Sequence, residues 1–125
     1  MRSQERLRQV FKPGLAETKD AEAFEAVWSA LREQYNRQKA THEVHPKAAS
    51  LALDMEQENR WKLIHFTDVL NSKSYHRRYS RFISQVRKTL IEEGFIYDVR
   101  EDEEDERGKV KKGKTPFVVL AKDVR

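Results

Sequence analysis

The stretch NSKSYHRRYSRFISQVRKTLIEEGFIYDV, residues 71–99, decides the fold, because its pattern predicts one amphipathic helix followed by a strand. At about 100° per residue, the apolar side chains fall on one arc, as expected for a helix with one side against a core. These side chains are Tyr75, Tyr79, Phe82, Ile83, Val86 and Leu90. Ser74 is the expected N-cap and Gly94 the expected left-handed C′ residue, so the helix should run for roughly 28 Å.

The opposite arc of this helix carries side chains that can contact phosphates and the hydrogen-bonding edges of bases. They are Arg77, Arg78, Arg81, Ser84, Gln85 and Lys88. Arginine matches guanine bidentately and glutamine matches adenine, so we expect Arg78, Arg81 and Gln85 to read bases. Residues 60–91 contain eight Lys or Arg and one Asp, which favours a polyanionic partner. The simpler interpretation is a solvated basic helix face.

The composition limits the classes of protein to which this chain can belong. Its 125 residues suffice for one domain with a single core. Because 38% of the residues are hydrophobic and 37% are charged, that core must be small and the surface densely ionic. The net charge is only +4, so the case for a polyanionic partner depends on where the charges lie.

The absence of cysteine excludes a disulfide framework and a cysteine-ligated zinc site. The sequence also lacks an apolar run of the roughly 18 residues that span a membrane. Its first residues do not contain the apolar core of a signal peptide. We therefore expect a cytoplasmic protein without a membrane partner, associated with the nucleoid if it binds DNA.

An N-terminal helix is predicted from residue 18 or 20 to about residue 40, because apolar residues recur there at helical spacing. They are Phe24, Val27, Trp28, Leu31 and Tyr35. This stripe needs a partner, either the remaining core or the same helix of a second subunit, and we favour a homodimer through helix 20–40. Residues 1–45 are then an arm with a dimerisation helix, and residues 46–125 a separate domain. Within the arm, residues 1–12 form either a short docked helix or a frayed end.

Two histidines, His42 and His45, lie three residues apart in the connector that follows this helix. Such a pair suggests a metal site, but Pro46 follows at once and the sequence supplies no evident third ligand. We therefore expect two solvated loop histidines, with no metal and no cofactor.

The middle of the chain predicts a helix over residues 46–59 with a narrow stripe of small and apolar side chains. The stripe consists of Ala48, Leu51, Ala52 and Met55. Residues 60–66 predict a short strand or a helix-to-strand junction, with Trp61 and Ile64 in the core. Thr67 is then the expected N-cap of a brief helix that precedes the basic one.

Two apolar strands are predicted near the C-terminus, over residues 95–99 and 117–122, and they bracket a charged excursion as in a β-hairpin. We expect the basic residues of this excursion to contact phosphates, and the simpler interpretation is a solvated flexible loop. These residues are Arg107, Lys109, Lys111, Lys112 and Lys114. The acidic run over residues 101–106 should face away from DNA, or fold onto basic residues of the free protein.

The order of helix, short strand, short helix, turn, basic helix and hairpin resembles that of a winged-helix domain, the helix-turn-helix variant with a β-hairpin wing. The resemblance covers residues 46–122. It is carried by Thr67 at the first helix of the pair, Val86 and Leu90 on the buried face of the second, and Gly94, Phe95 and Ile96 at the entry to the wing.

This resemblance implies a mainly α fold with a small β-hairpin (α+β), preceded here by an extra N-terminal helix. It also implies that residues 75–93 enter the major groove, while residues 100–116 form a wing that contacts a minor groove or the backbone. The length of the wing and its acidic block depart from the pattern of the superfamily.

Residues 108–115 match the P-loop pattern G-x-x-x-x-G-K-S/T letter for letter. A P-loop connects a buried strand to a helix whose N-terminal amides face the phosphates, whereas this match follows six acids and precedes Pro116. We therefore reject a nucleotide cofactor. Since no nucleophile and base pair or paired carboxylates stand out either, we expect no enzyme and no catalytic residues.

Together these patterns predict a double-stranded DNA-binding protein that regulates transcription or replication. Two rival interpretations remain open. A winged-helix domain can serve as a protein-interaction module, because a fold does not determine a function. The basic face could also bind RNA through its shape and its phosphates.

Overall fold

The computed structural model describes residues 18–124 of the protein. Within that range it contains five α-helices, one 3₁₀ helix and a three-stranded antiparallel sheet. In chain order these are α1 (Thr18–Thr41), α2 (Pro46–Ala49), the 3₁₀ helix Gln57–Lys62, β1 (Ile64–His65), α3 (Phe66–Ser72), α4 (Tyr75–Arg78), α5 (Ile83–Glu92), β2 (Ile96–Glu104) and β3 (Val110–Leu120). The expected α+β class is confirmed, while the element expected in residues 1–12 lies outside the described residues.

Helix α1 confirms the helix predicted from the apolar spacing, and its stripe lies in the core of the same chain. Phe24 and Leu31 are fully buried, and the Trp28 ring lies 5.1 Å from the Phe95 ring. Burying such a side chain stabilises the fold by roughly 1.5–3 kcal/mol, so exposing the stripe to a second subunit would be costly. The stripe that suggested a dimer is therefore already covered. The expected boundary after residue 45 falls inside one continuous core.

The helix expected over residues 46–59 is wrong, because the chain there folds around a buried arginine. Helix α2 ends after one turn, and the chain stays irregular up to the 3₁₀ helix. Arg60 is only 4% exposed, and its guanidinium donates to four backbone carbonyls. These belong to Ala48 (2.9 Å), Leu51 (2.7 Å), Leu53 (3.4 Å) and Met55 (3.2 Å), and we call the arrangement the Arg60 cradle. A continuous helix would use most of these carbonyls for its own amides and leave the buried cation unsatisfied.

The predicted helix-to-strand junction is confirmed, since the 3₁₀ helix leads directly into the two-residue strand β1. Trp61 and Ile64 are buried there, as expected. Helix α3 begins two residues earlier than predicted, so Thr67 is not its N-cap. His65 caps it instead, because its Nδ1 accepts a hydrogen bond from the Asp68 amide at 3.1 Å.

The long helix expected over residues 75–93 is wrong, since the chain forms two helices, α4 and α5, with a turn between them. The amides of Phe82 and Ile83 both donate to the Tyr79 carbonyl, at 2.8 and 3.1 Å, which closes this turn. The break occurs where tyrosine, serine and phenylalanine are frequent. Such residues lose rotamer freedom in a helix or compete for its hydrogen bonds. Helix α5 keeps ten residues and is therefore about 15 Å long.

The two predicted ends of the basic helix have different outcomes. Gly94 has a φ of 72°, its amide donates to the Ile91 carbonyl at 3.0 Å, and the Phe95 amide donates to the Leu90 carbonyl at 2.8 Å. This pair of bonds is the Schellman motif, so the predicted glycine end is confirmed. Ser74 does precede α4, but it has a φ of 58° and makes no side-chain capping bond within the described chain. Ser74 therefore occupies the predicted N-cap position, but its side chain does not cap the helix.

The sheet has the strand order β1-β3-β2, so the hairpin is attached to the strand that precedes α3. Both hairpin strands are longer than predicted, and only residues 105–109 connect them. The expected loop is mostly strand because acids of β2 lie opposite lysines of β3, Asp102 opposite Lys112 and Glu103 opposite Lys111. Opposite charges across an antiparallel pair stabilise the pairing.

Candidate nucleic-acid interface

All six predicted contact residues around α5 are exposed. Three lie on α5 itself (Ser84, Gln85 and Lys88), and three precede it on α4 and in the turn (Arg77, Arg78 and Arg81). Ile83, Val86 and Leu90 of α5 are buried in the core, so the predicted phase of this helix is confirmed. Because the helix is broken, the arginines form a separate group at the N-terminal side of α5.

The three arginines differ in how far their charges are already paired. Arg78 lies 3.3 Å from the Glu22 carboxylate and 5.3 Å from the centroid of the Tyr79 ring. An exposed ion pair contributes at most about 1 kcal/mol, so Arg78 can exchange Glu22 for a phosphate at little cost. Arg77 and Arg81 make no ion pair with any residue between 18 and 124. These two are therefore the more available cations.

A groove of about 510 Å³ lies between α5 and the base of the hairpin. Ser84 and Lys88 line it from α5, and Arg100 and Lys114 line it from the hairpin. Glu92 also lines the groove and lies 3.8 Å from Lys88, as an exposed pair that a phosphate can displace. The groove therefore brings three cations and a hydroxyl group to one concave surface.

A further ion pair forms one wall of this groove. The Arg87 guanidinium lies 2.5 Å from the Asp98 carboxylate and 5.0 Å from the centroid of the Phe66 ring. Because these two charges offset each other and Glu92 partly offsets Lys88, the positive character of the groove comes mainly from Arg100 and Lys114. Arg87 connects α5 to β2 and thereby holds the helix against the hairpin.

Arg100 and Lys114 are direct cross-strand partners in the hairpin. Two like charges in this relation destabilise a sheet, so this pair differs from the acid and base pairs nearer the tip. The strand register shifts between Asp98 and Arg100, and this shift places Arg100 opposite Lys114. At the same point the Thr115 hydroxyl donates to the Val99 carbonyl at 2.6 Å. Arg100 was missed by the sequence analysis, because its partner depends on the strand register and a charge pattern does not show register.

Lys111 and Lys112, two of the predicted phosphate contacts, lie opposite acids in the hairpin. Their cross-strand partners are Glu103 and Asp102, and Lys112 forms an ion pair with Asp102. The acidic run therefore folds onto basic residues of the hairpin itself, which was one of its two expected placements. Between residues 100 and 114, six basic residues are matched by six acidic ones, so the hairpin as a whole is electrically neutral.

Arg107 and Lys109, two further predicted contacts, lie in the turn that connects the hairpin strands. Their backbone amides donate to the Asp105 carboxylate at 2.9 and 2.8 Å, and Gly108 adopts a φ of 79° between them. Of the five predicted wing residues, all of which the structure describes, only Lys114 lines the groove beside α5.

The P-loop match over residues 108–115 does not have the structure of a phosphate-binding loop. Residues 113–115 lie inside β3, which continues to Leu120, and no helix follows in the described residues up to 124. Backbone amides engaged in strand pairing cannot form the concave nest that holds phosphates. The match therefore lacks the strand, loop and helix that a P-loop requires.

A second polar cluster escaped the sequence analysis. His45 is half-buried and its Nε2 lies 3.0 Å from Asp68 Oδ2, while the rings of His45 and His65 stack with centroids 4.9 Å apart. The hydrogen bond from His45 holds the pKa of the Asp68 carboxyl below its ordinary value, and burial lowers the pKa of the His65 imidazole. His42 lies elsewhere and stacks on Trp61 at 4.8 Å. The expectation of solvated histidines is therefore wrong for His45, whose partners lie far along the chain.

Among residues 18–124, no helix combines the length and the apolar character that crossing a bilayer requires. Comparisons with protein-family models, with curated proteins and with solved structures find no match to this chain.

Proposed function

We propose that the chain binds double-stranded DNA, with α5 in the major groove and the base of the hairpin on adjacent phosphates, as a regulator of transcription or replication would. The observation that carries this proposal is the groove between α5 and the hairpin, where Lys88, Arg100 and Lys114 converge. A phosphate bound there would relieve the repulsion between Arg100 and Lys114, which the folded chain otherwise has to sustain.

The dimensions of α5 support this proposal. An α-helix is about 10–12 Å across and fits the major groove of B-DNA, which is about 12 Å wide, and α5 is about 15 Å long. Arg81 lies just before α5, and Ser84 and Gln85 lie in its first turn. Helix-turn-helix proteins contact base edges with the N-terminal residues of the recognition helix, so these side chains are suitably placed for reading bases.

The connection of the hairpin to the rest of the fold supports a winged-helix interpretation. The first helix of the pair is α3, the second is α5, and the hairpin follows α5 directly. Pairing of β3 with β1 holds the hairpin beside the helix pair. In this proposal the wing acts through its base, at Arg100 and Lys114, and its neutral outer part contributes little to phosphate binding.

The experiment is a fluorescence anisotropy titration of a labelled DNA duplex across a salt series, with Lys114→Ala compared with Lys111→Ala. Both substitutions remove one positive charge from β3, but side chains three apart in a strand project from opposite faces. Each lost phosphate contact lowers the slope of log K against log salt by about 0.9. We expect that loss for Lys114→Ala and for Arg100→Ala, while Lys111→Ala leaves the slope nearly unchanged.

Competition with single-stranded DNA and with structured RNA distinguishes the rival interpretations. Preferential displacement of the duplex by RNA would replace the proposal with RNA binding. If no nucleic acid binds at low salt, a protein partner becomes the better interpretation of the same surface. Equal effects of Lys114→Ala and Lys111→Ala would remove the groove from the interface.

A further inference from the structure

Three metal-ligating side chains converge where the connector between α1 and α2 meets β1 and α3. His45 Nε2 lies 3.0 Å from Asp68 Oδ2, and His65 Nδ1 lies 3.5 Å from Asp68 Oδ1. One donor atom from each of the three residues lies within 4.8 Å of the other two. Ligands about 2.0–2.1 Å from a tetrahedral zinc ion are about 3.3 Å apart, and each imidazole nitrogen lies at close to that distance from one of the two Asp68 oxygens.

We propose that His45, His65 and Asp68 bind a divalent transition-metal ion of the zinc class. Two imidazole nitrogens and one carboxylate oxygen form a donor set that suits such ions and not the all-oxygen coordination that magnesium or calcium prefers. A cavity of about 140 Å³ adjoins the three side chains, with Gln34 and Gln38 on its other side. This space can hold the water molecules that complete the coordination of the ion.

The donors are held in place by separate elements of the fold. His65 ends β1, where it pairs with Phe117 of β3, and Asp68 lies in the first turn of α3. The Phe117 ring also packs edge-on against both imidazoles, with centroids 5.3 Å from His45 and 5.1 Å from His65. These contacts restrict both imidazoles to orientations in which the three donor atoms stay within 4.8 Å of one another.

Metal binding requires an exchange of hydrogen bonds at His45. Its Nδ1 accepts from the Lys47 amide at 3.1 Å, so the proton of the neutral ring is on Nε2, where it is donated to Asp68. An ion at Nε2 displaces this proton to Nδ1 of the same ring and breaks the bond from Lys47. That bond caps only the four-residue helix α2, so its loss is small beside a metal–nitrogen bond.

At His65 no proton has to move, because the neutral ring carries its proton on Nε2 and the ion binds at Nδ1. Nδ1 gives up the amide of Asp68, while the carboxylate of Asp68 becomes a ligand of the same ion. The ion thereby replaces a hydrogen bond that joined the same two residues. Binding should consequently tie β1 more firmly to α3, the first helix of the pair.

The test is isothermal titration calorimetry with zinc chloride on the untagged chain, together with the visible spectrum of the cobalt(II) complex. The donor variants are His45→Asn, His65→Asn and Asp68→Asn. Asparagine is a favoured N-cap, so the two histidine variants keep a helix cap and lose only the imidazole. His42→Asn is the matched control, because His42 lies three residues from His45 yet stacks on Trp61 instead.

We expect one zinc ion per chain, a Tm raised on the order of 10 °C by saturating zinc, and affinity at least tenfold weaker in each donor variant. His42→Asn should bind zinc as the unaltered chain does. Asp68 is 57% exposed, so Asp68→Asn should leave the fold intact. This variant therefore tests the metal site even if a histidine variant does not fold. An unaltered chain that does not bind zinc, equal weakening in His42→Asn, or undiminished affinity in Asp68→Asn would overturn the proposal.

Discussion

Arg60 shows how one side chain can determine the path of a whole segment. Buried cations are commonly paired with carboxylates, but this guanidinium is surrounded by the carbonyls of the Arg60 cradle. The planar fork of arginine can donate to several acceptors at once, whereas a lysine ammonium is a compact point charge on a flexible stem. The irregular chain between α2 and the 3₁₀ helix therefore depends on arginine in particular.

Arg60→Lys should lower the free energy of unfolding by roughly 2–4 kcal/mol, because some of the buried carbonyls lose their donor. Urea denaturation followed by tryptophan fluorescence measures this loss. Arg37→Lys is the control, since Arg37 is exposed on α1, where it pairs with Glu33 and donates to the Gln34 side chain. That change should stay within about 0.5 kcal/mol. An Arg60→Lys protein as stable as the parent would show that the carbonyls do not need the guanidinium.

Gly94 is the second residue whose identity the backbone requires. Its φ of 72° permits the Schellman motif that ends α5 and turns the chain into β2. Gly94→Ala should cost about 1–2 kcal/mol in denaturant unfolding, because alanine is strained in the left-handed region. Gly94→Asn should cost less, since asparagine tolerates that region better. Equal stability of all three proteins would contradict the geometry of this turn.

At the scale of the element, α5 combines a buried face and a polar face within ten residues. The helical period predicted this division, because each residue advances the helix by a fixed angle whatever its neighbours are. The same period could not predict the break before α5. That break is set by the turn that closes on the Tyr79 carbonyl and by the burial of the Tyr79 ring.

Two substitutions around α5 should separate binding from stability. Arg81→Ala should weaken duplex DNA binding several-fold and leave the free energy of unfolding within about 0.5 kcal/mol, because Arg81 is exposed. Val86→Ala should lower that free energy by roughly 1–3 kcal/mol through lost burial and a cavity. Anisotropy and urea denaturation on the same preparations provide the comparison. Loss of stability in Arg81→Ala would mean that this side chain supports the fold.

At the scale of the whole molecule, α1 belongs to the same core as α5 and the sheet. Five large side chains of α1 are buried, and each stabilises the fold by roughly 1.5–3 kcal/mol. Their sum is comparable with the 5–15 kcal/mol by which a whole domain is usually stable. The remainder of the chain should therefore not fold without α1.

A chain that begins at residue 46 should give no cooperative thermal transition by circular dichroism, while a chain that begins at residue 18 should unfold in one step. The longer chain serves as the control, because it contains α1 and every other described element. Cooperative unfolding of the shorter chain would support the division after residue 45 that the sequence predicts.

Sequence patterns predicted those parts of the structure that depend on local periodicity or local turn chemistry. The phases of α1 and α5 and the glycine end of α5 belong to this class. Three other features could not be predicted from such patterns. They are the Arg60 cradle, the pair of Arg100 and Lys114, and the cluster at Asp68. Each of them is created by register or by contacts between distant segments, such as the 23 residues between His45 and Asp68. Contacts between distant segments cannot be identified from the local periodicity of a single sequence.

The alternation of acids and lysines across the hairpin also has a consequence for the entropy of binding. A lysine-rich wing without such partners would be mobile in the free protein, and a ligand would have to order it at a cost in affinity. In this hairpin the cross-strand pairs order the strands before any ligand arrives. A duplex that contacts Arg100 and Lys114 would bind a hairpin that is already ordered. The free energy of those contacts would then not be offset by the entropy cost of ordering the strands, and it would contribute to affinity.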